Sequence, residues 1–190
     1  MPETSTFPVP PDALDRDLVF DFFWRFSAFE CALKRTGFLS ANPHVAADWR
    51  SFAKAIQGKF STVEHFAFRE AVDKLMRLSP KRQILENGKL DWEKIERKPG
   101  QSDEEFTVVL LKTVRNNLFH GGKYPGIHID EIARDRDILA AASIILAGCY
   151  PLHAQVKSTI DEITDSLPPS VVGYPLAPAW GNQPPSALPN

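Results

Sequence analysis

The sequence holds only two cysteines in 190 residues, Cys31 and Cys149. Each sits in an apolar, helix-like run where a free thiol behaves as a small hydrophobe. That is too few for a disulfide framework, and a reducing, cytoplasmic setting is expected. A strong basic excess is also missing: 22 Lys and Arg stand against 24 Asp and Glu, for a formal charge of -2 and a pI near 6.2. Proteins that coat nucleic-acid duplex release phosphate counterions with such an excess, so any nucleic-acid contact here must be local. The longest apolar run, "ILAAASIILAGCY" at 138–150, falls short of the roughly 20 residues that span a bilayer. It reads as a buried core helix, and no membrane partner is expected. The opening "MPETSTFPVPP" has neither the positive nor the apolar segment of a secretory signal. There is no internal repeat, Gly-rich phosphate loop, nucleophile elbow or zinc motif. His44, His65, His128 and His153 are scattered, without metal-ligand spacing beside a cysteine. Neither a metal ion nor another cofactor is expected.

What is present is helical punctuation between proline-rich ends. Residues 1–12 and 167–190 carry no sustained apolar period and are expected to be disordered tails, leaving 13–166 as one folded domain. A first helix starts at a cap on Asp12 or Asp15 and ends at Gly37 after Lys34 and Arg35, the charge order that a helix dipole favours. It carries two apolar stripes. Phe22, Phe26, Phe29 and Leu33 form one, and Phe20, Phe23, Trp24, Ser27 and Cys31 the other, which predicts burial on both sides. A short helix follows around 45–57. The next starts at a box-like pair, Ser61 and Glu64, and closes at Pro80. Residues 81–101 form a polar insert in which Asn87-Gly88 has the chemistry of a tight hairpin turn. A helix capped at Ser102 or Asp103 then runs to Gly121-Gly122. The last helical region is capped at Asp130 and kinked or broken at Pro151. The expected fold is an all-α bundle of four or five helices with a short polar insert.

The end of the fourth of these helices is chemically unusual. In "RNNLFHGG", residues 115–122, an arginine, two asparagines and a histidine crowd the turn before two glycines. At 100° per residue, Thr107, Leu110, Leu111 and Leu118 cluster around Val114 as a core-facing stripe. The opposite side carries Arg115, Val108, Phe119, Lys112, Asn116, Val109 and His120. Two valines and a phenylalanine are not expected on a simply solvated face. Asn116 and His120, four apart, share a side, but Arg115 and His120 lie about 140° apart. A loosened last turn, or a second copy of the helix packed against the Phe119 side, brings them together. A two-fold pairing would place two arginines and two histidines in one cleft. The alternative is a polar helix end, with His120 near the C-terminal carbonyls.

These residues match a known pattern. "RNNLFH" resembles the Arg-x4-6-His signature of the HEPN superfamily (higher eukaryotes and prokaryotes nucleotide-binding domains), including the polar residue that often follows the arginine, here Asn116. The wider "VRNNLFHGGK" is similar to the prokaryotic nuclease and toxin-like branch. The resemblance is specific over 105–124 and looser over 16–166, where "RFSAFECALK" is similar to the family's first helix. It implies a HEPN-like bundle and a metal-independent endoribonuclease whose composite site forms across a homodimer. Arg115, Asn116 and His120 are the positions that match the family's catalytic motif.

Such a role is chemically coherent. When the ribose 2'-OH attacks the adjacent phosphorus, a group must move protons and another must hold developing negative charge. A histidine exchanges protons near neutral pH, and an arginine offers a fixed cationic fork to phosphate oxygens. Lys112 and Lys123 are candidate substrate contacts, or solvated lysines. Glu30 interrupts the aromatic first helix and is a candidate supporting partner for Arg115 or His120, or a helix-surface residue. The expected partners are RNA, a second copy of the chain and an antitoxin or other neutralising protein. The rival reading is a non-catalytic HEPN-like interaction module that uses the same helix to dimerise. A nucleotide-binding role, which the family name suggests, has no phosphate cradle in the sequence to support it.

Overall fold

The computed structural model describes residues 15–40, 44–119 and 129–166. The proline-rich ends and most of the glycine-rich loop after Phe119 lie outside these residues. Six α-helices make up most of what is described: α1 (Arg16–Arg35), α2 (Trp49–Ala55), α3 (Phe66–Leu78), α4 (Asp103–Phe119), α5 (Ile129–Cys149) and α6 (Ala154–Asp165). Two small antiparallel ladders join them, β1 (Leu39–Ser40) with β2 (Ala46–Ala47) and β3 (Arg82–Glu86) with β4 (Lys89–Glu93). The chain is thus largely helical, with one more helix than the four or five expected.

Local chemistry explains most of the boundaries. Asp15 caps α1 by accepting from the amides of Asp17 and Leu18 at 3.0 and 3.3 Å, and Gly37 turns the chain at φ 87°. Ser102 caps α4 through a reciprocal box. Its hydroxyl accepts from the Glu105 amide at 3.2 Å while the Glu105 carboxylate accepts from the Ser102 amide at 3.3 Å. The expected box at Ser61 and Glu64 does not form. Residues Lys59–Thr62 wind as a 3-10 turn, in which Ser61 Oγ donates to Gly58 O and Thr62 Oγ1 to Lys59 O, and α3 begins only at Phe66. The expected cap at Asp130 is also displaced, because the helix already includes Ile129. Pro151, which has no amide hydrogen to give, falls in a 3-10 turn over Tyr150–Leu152, and α6 leaves at 113° to the preceding helix. The last helical region is therefore broken, and this supplies the sixth helix. Among the described residues no single helix is long and apolar enough to cross a membrane.

The core lies between α1, α3, α4 and α5. From α1 it takes Phe22, Phe26, Phe29 and Leu33, and from α5 Leu139, Ala142, Ile145 and Leu146, as expected of the apolar run. Trp49 stacks on Phe26 with ring centroids 4.8 Å apart. The second stripe of α1 behaves otherwise. Phe20 and Phe23 are exposed, and Trp24, Ser27 and Cys31 are only half-buried, so α1 is deeply buried on one side alone. Helices α5 and α6 pack along that one side, with Trp49 of α2 against Phe26 and Phe29, while on the other side Phe23 meets the Phe119 ring at the end of α4.

Glu104 ties α4 to the turn after α2. Its carboxylate is buried and accepts from the amides of Gly58 and Phe60 at 2.9 and 3.3 Å. Its place in the first turn of α4 lets the helix dipole favour the negative charge. Glu104→Ala leaves two amide donors without an acceptor and is expected to cost about 2–4 kcal/mol. Glu104→Gln keeps an acceptor and should cost less, a difference that urea titration of the two variants will measure.

His153 lies near the same turn, where Lys59 Nζ donates to the backbone oxygen of Leu152 at 2.8 Å. Its ring packs edge-on against Phe38 at 5.2 Å, and its buried Nδ1 meets no hydrogen-bond partner among the described residues. Burial pushes its pKa below the ordinary 6.5, and the nearby Lys59 ammonium pushes the same way. The unfolded chain then binds the extra proton more readily. Stability is fully present above pH 6.5 and falls as the pH drops from there through the lower folded value. A pH series of denaturant midpoints should show this loss in the wild type and its reduction in His153→Gln.

Candidate functional site

Helix α4 presents two chemically different faces. Thr107, Leu110, Leu111 and Val114 are buried, as the helical spacing predicts, while Leu118 of the same stripe is half-buried. Val108, placed by that spacing on the far side, is buried as well. Lys112, Asn116 and Phe119 are exposed and Arg115 is half-buried, and these four recur at intervals of three or four residues along one strip. The strip is polar and aromatic at once.

Its geometry is ordered by short contacts. Arg115 Nη1 donates to Asn116 Oδ1 at 3.1 Å, and the guanidinium carbon lies 5.6 Å from the centre of the Phe119 ring. That ring in turn sits 5.4 Å from Phe23 of α1. The cation–π contact and the amide hold the guanidinium in place. Among the described residues the rest of its fork meets no acceptor. Such a group can receive phosphate or carboxylate oxygens from outside the chain.

The other candidates are placed differently. Lys112 is exposed one turn earlier, and its charge reaches toward the start of α2, where it helps to lower the pKa of Asp48. The larger causes there are the hydroxyl and amide of Ser51, which bond the Asp48 carboxylate as it caps α2. Glu30 is half-buried and accepts from Trp49 Nε1 at 3.3 Å. The partner that its carboxylate needed is an indole rather than Arg115. His120 and Lys123 lie outside the described residues, so the approach of the imidazole to Arg115 and the pairing of Glu30 with His120 are not among the geometry described.

Two residues enter that sequence reasoning did not assign. Phe23 supplies the aromatic floor beside Phe119. Asn117 Nδ2 donates to the backbone oxygen of Lys81 at 2.8 Å and fastens the start of β3 to the last turn of α4. The doubled asparagine after the arginine was the available signal. Asn116 serves the guanidinium and Asn117 the neighbouring chain. Among the described residues no cluster of His, Cys, Asp and Glu is arranged to hold a metal ion.

No family model matches the sequence, no curated protein matches it and no solved structure matches the fold, so the chemistry of this site rests on its own residues and their geometry.

Proposed function

We propose that the chain is a HEPN-like, metal-independent endoribonuclease that works as a homodimer, with Arg115, Asn116 and His120 as its catalytic set. The observation that carries this reading is the Arg115 guanidinium, held by Asn116 and Phe119 with its remaining donors turned to no group of the described chain. In the proposed reaction the 2'-oxygen loses its proton to a base and bonds to phosphorus. The P–O5' bond breaks, O5' takes a proton, and a 2',3'-cyclic phosphate remains. The histidine at 120 moves the protons, and the arginine neutralises charge on the phosphoryl oxygens. The exposed Phe23 and Phe119, at 40% and 50%, are the surface on which the second copy packs. A role as a toxin or defence effector with a neutralising protein partner follows from the same reading. The rival reading, a non-catalytic interaction module, is favoured by that same aromatic patch, which would suit an interface without chemistry.

The two are separated by incubating the purified protein with single-stranded RNA and a chelator. The nuclease reading expects fragments ending in 2',3'-cyclic phosphate and no cleavage of 2'-O-methylated RNA. It also expects Phe119→Glu to halve the mass seen by light scattering and to remove activity with it. A dimeric wild type that leaves RNA intact under these conditions establishes the interaction module instead.

A further inference from the structure

The polar insert is fixed at its root and open along one edge. Arg134 of α5 donates through Nη2 to the backbone oxygens of Leu78 and Ser79 at 2.6 and 3.0 Å, and Asn117 of α4 holds that of Lys81 at 2.8 Å. Beyond this root β3 and β4 pair residue for residue without a bulge, from Arg82 with Glu93 to Glu86 with Lys89. The turn between them holds two residues, Asn87 and Gly88, at φ 50° and 75°. Such a turn makes Glu86 and Lys89 a pair that exchanges both of its backbone hydrogen bonds. Arg82, Ile84 and Glu86 then direct their backbone groups to β4, while those of Lys81, Gln83 and Leu85 point away from it.

The bonds around the hairpin agree with this phase. The outward oxygen of Lys81 is the one that Asn117 takes, and on the far edge the Trp92 amide donates to Asp91 Oδ1 at 2.7 Å. The edge of β4 therefore has an amide already engaged. That of β3 differs. Among the described residues no hydrogen bond from outside the hairpin reaches the backbone of Gln83 or Leu85, and both residues are exposed, Leu85 at 73%. Neither a proline nor a bulge blunts this edge, although these are common means of keeping strand edges from pairing.

We propose that the outer edge of β3 pairs antiparallel with the same edge of a second copy, centred on Ile84, and joins two hairpins into one four-stranded sheet. Backbone chemistry selects this register over its neighbours. Gln83 faces Leu85 of the second copy, so the outward amides and carbonyls of both residues are bonded across the two-fold axis. A register centred on Gln83 would rely on the Lys81 oxygen, which already accepts from Asn117. One centred on Leu85 would run Gln83 against Asn87 of the turn. Charge selects the same register. Arg82 falls opposite Glu86 of the second copy, and the row across the sheet reads Glu93, Arg82, then Glu86 and Lys89 of the second copy, alternating in sign at each step. Such self-complementarity is what a two-fold pairing of identical edges requires. Asn117 lies about 160° round α4 from Arg115, so this edge is distinct from the aromatic patch and does not depend on the ribonuclease reading.

The test is a register-specific disulfide, formed in full-length Cys31→Ser protein under mild oxidation and read on non-reducing gels. The remaining Cys149 is buried. Opposed residues that exchange no hydrogen bonds stand about 4.5 Å apart at Cα, within disulfide reach. Ile84→Cys should therefore link to itself. Arg82→Cys and Glu86→Cys, each two residues from the axis, should not link alone, but an equal mixture of the two chains should form a heterodimer. Gln83→Pro removes one donor per chain from the new pairing and none from the hairpin ladder, and should slow Ile84→Cys linkage by about tenfold or more. Linkage should persist alongside Phe119→Glu, which separates this edge from the aromatic patch. The self-pairing is overturned if neither Ile84→Cys nor the mixture links, if Arg82→Cys links alone as fast as in the mixture, or if Phe119→Glu abolishes linkage. A chain that never links to itself leaves the edge to an extended peptide of another protein.

Discussion

Arg115→Ala is expected to reduce RNA cleavage by about 100- to 1,000-fold, the usual effect of removing one preorganised donor to a developing oxyanion. His120→Ala should reduce it by about 100- to 10,000-fold, the range of a general acid–base group. Arg115→Lys separates two roles of the arginine. It keeps the positive charge but loses the planar fork that Asn116 and Phe119 hold in place, and should recover only part of the rate. The loss belongs mainly in kcat rather than KM, because the added negative charge on the phosphoryl oxygens develops only in the transition state. Single-turnover rates measured in chelator, beside circular dichroism spectra of each variant, check this. Rates for Arg115→Ala and His120→Ala equal to that of the wild type would falsify the catalytic assignment.

Gly148→Ala is the substitution expected to damage the fold most. Alanine normally favours a helix interior over glycine by about 1 kcal/mol, so an open site would gain stability. This site is closed. A Cβ at position 148 would lie inside van der Waals distance of Cδ2 and Cε2 of Phe68, a ring only 1% exposed in the α3–α5 contact. Moving either helix by enough to admit a methyl opens gaps elsewhere, and overpacking of this kind costs about 1–3 kcal/mol and occasionally more. The upper end is expected here because the obstacle is a rigid, enclosed ring, and a melting temperature about 6–12 °C lower follows for a domain of this size. Adding Phe68→Leu gives the direct check. If the clash is the cause, Gly148→Ala should cost much less in that background than alone. Equal costs in both backgrounds would show that the ring is not what opposes the methyl.

These two expectations differ in how far each was visible from the chain. Arg115 and His120 announce themselves by residue type and spacing, and the RNNLFH string needs no coordinates to be noticed. Gly148 does not. It sits within an apolar helical run, where a glycine reads as a tolerated weakness, and only the approach of α3 makes it necessary. The capping residues show the same division. Asp15 and Ser102 were legible because a cap depends on its own next two or three residues. Ser61 carried an equally good local signal, yet its hydroxyl bonds back to Gly58, whose amide is taken by Glu104 from 46 residues away. In the folded chain a distant carboxylate holds that turn, and the local cap is not made.

The amino-acid sequence alone determined the helical character of this protein, the turn at Asn87-Gly88, most of the buried face of α4 and the identity of its candidate catalytic side chains. All of these depend on interactions within a few residues or on a repeating apolar period. Only the tertiary structure decided that Phe20 and Phe23 of the second stripe of α1 stay exposed, that Glu30 serves Trp49, and that Asn117 and Arg134 pin the root of the hairpin to α4 and α5. Those outcomes depend on which surfaces the other helices cover in the folded chain. A side chain's partner across the fold is set by packing geometry, which no local pattern encodes.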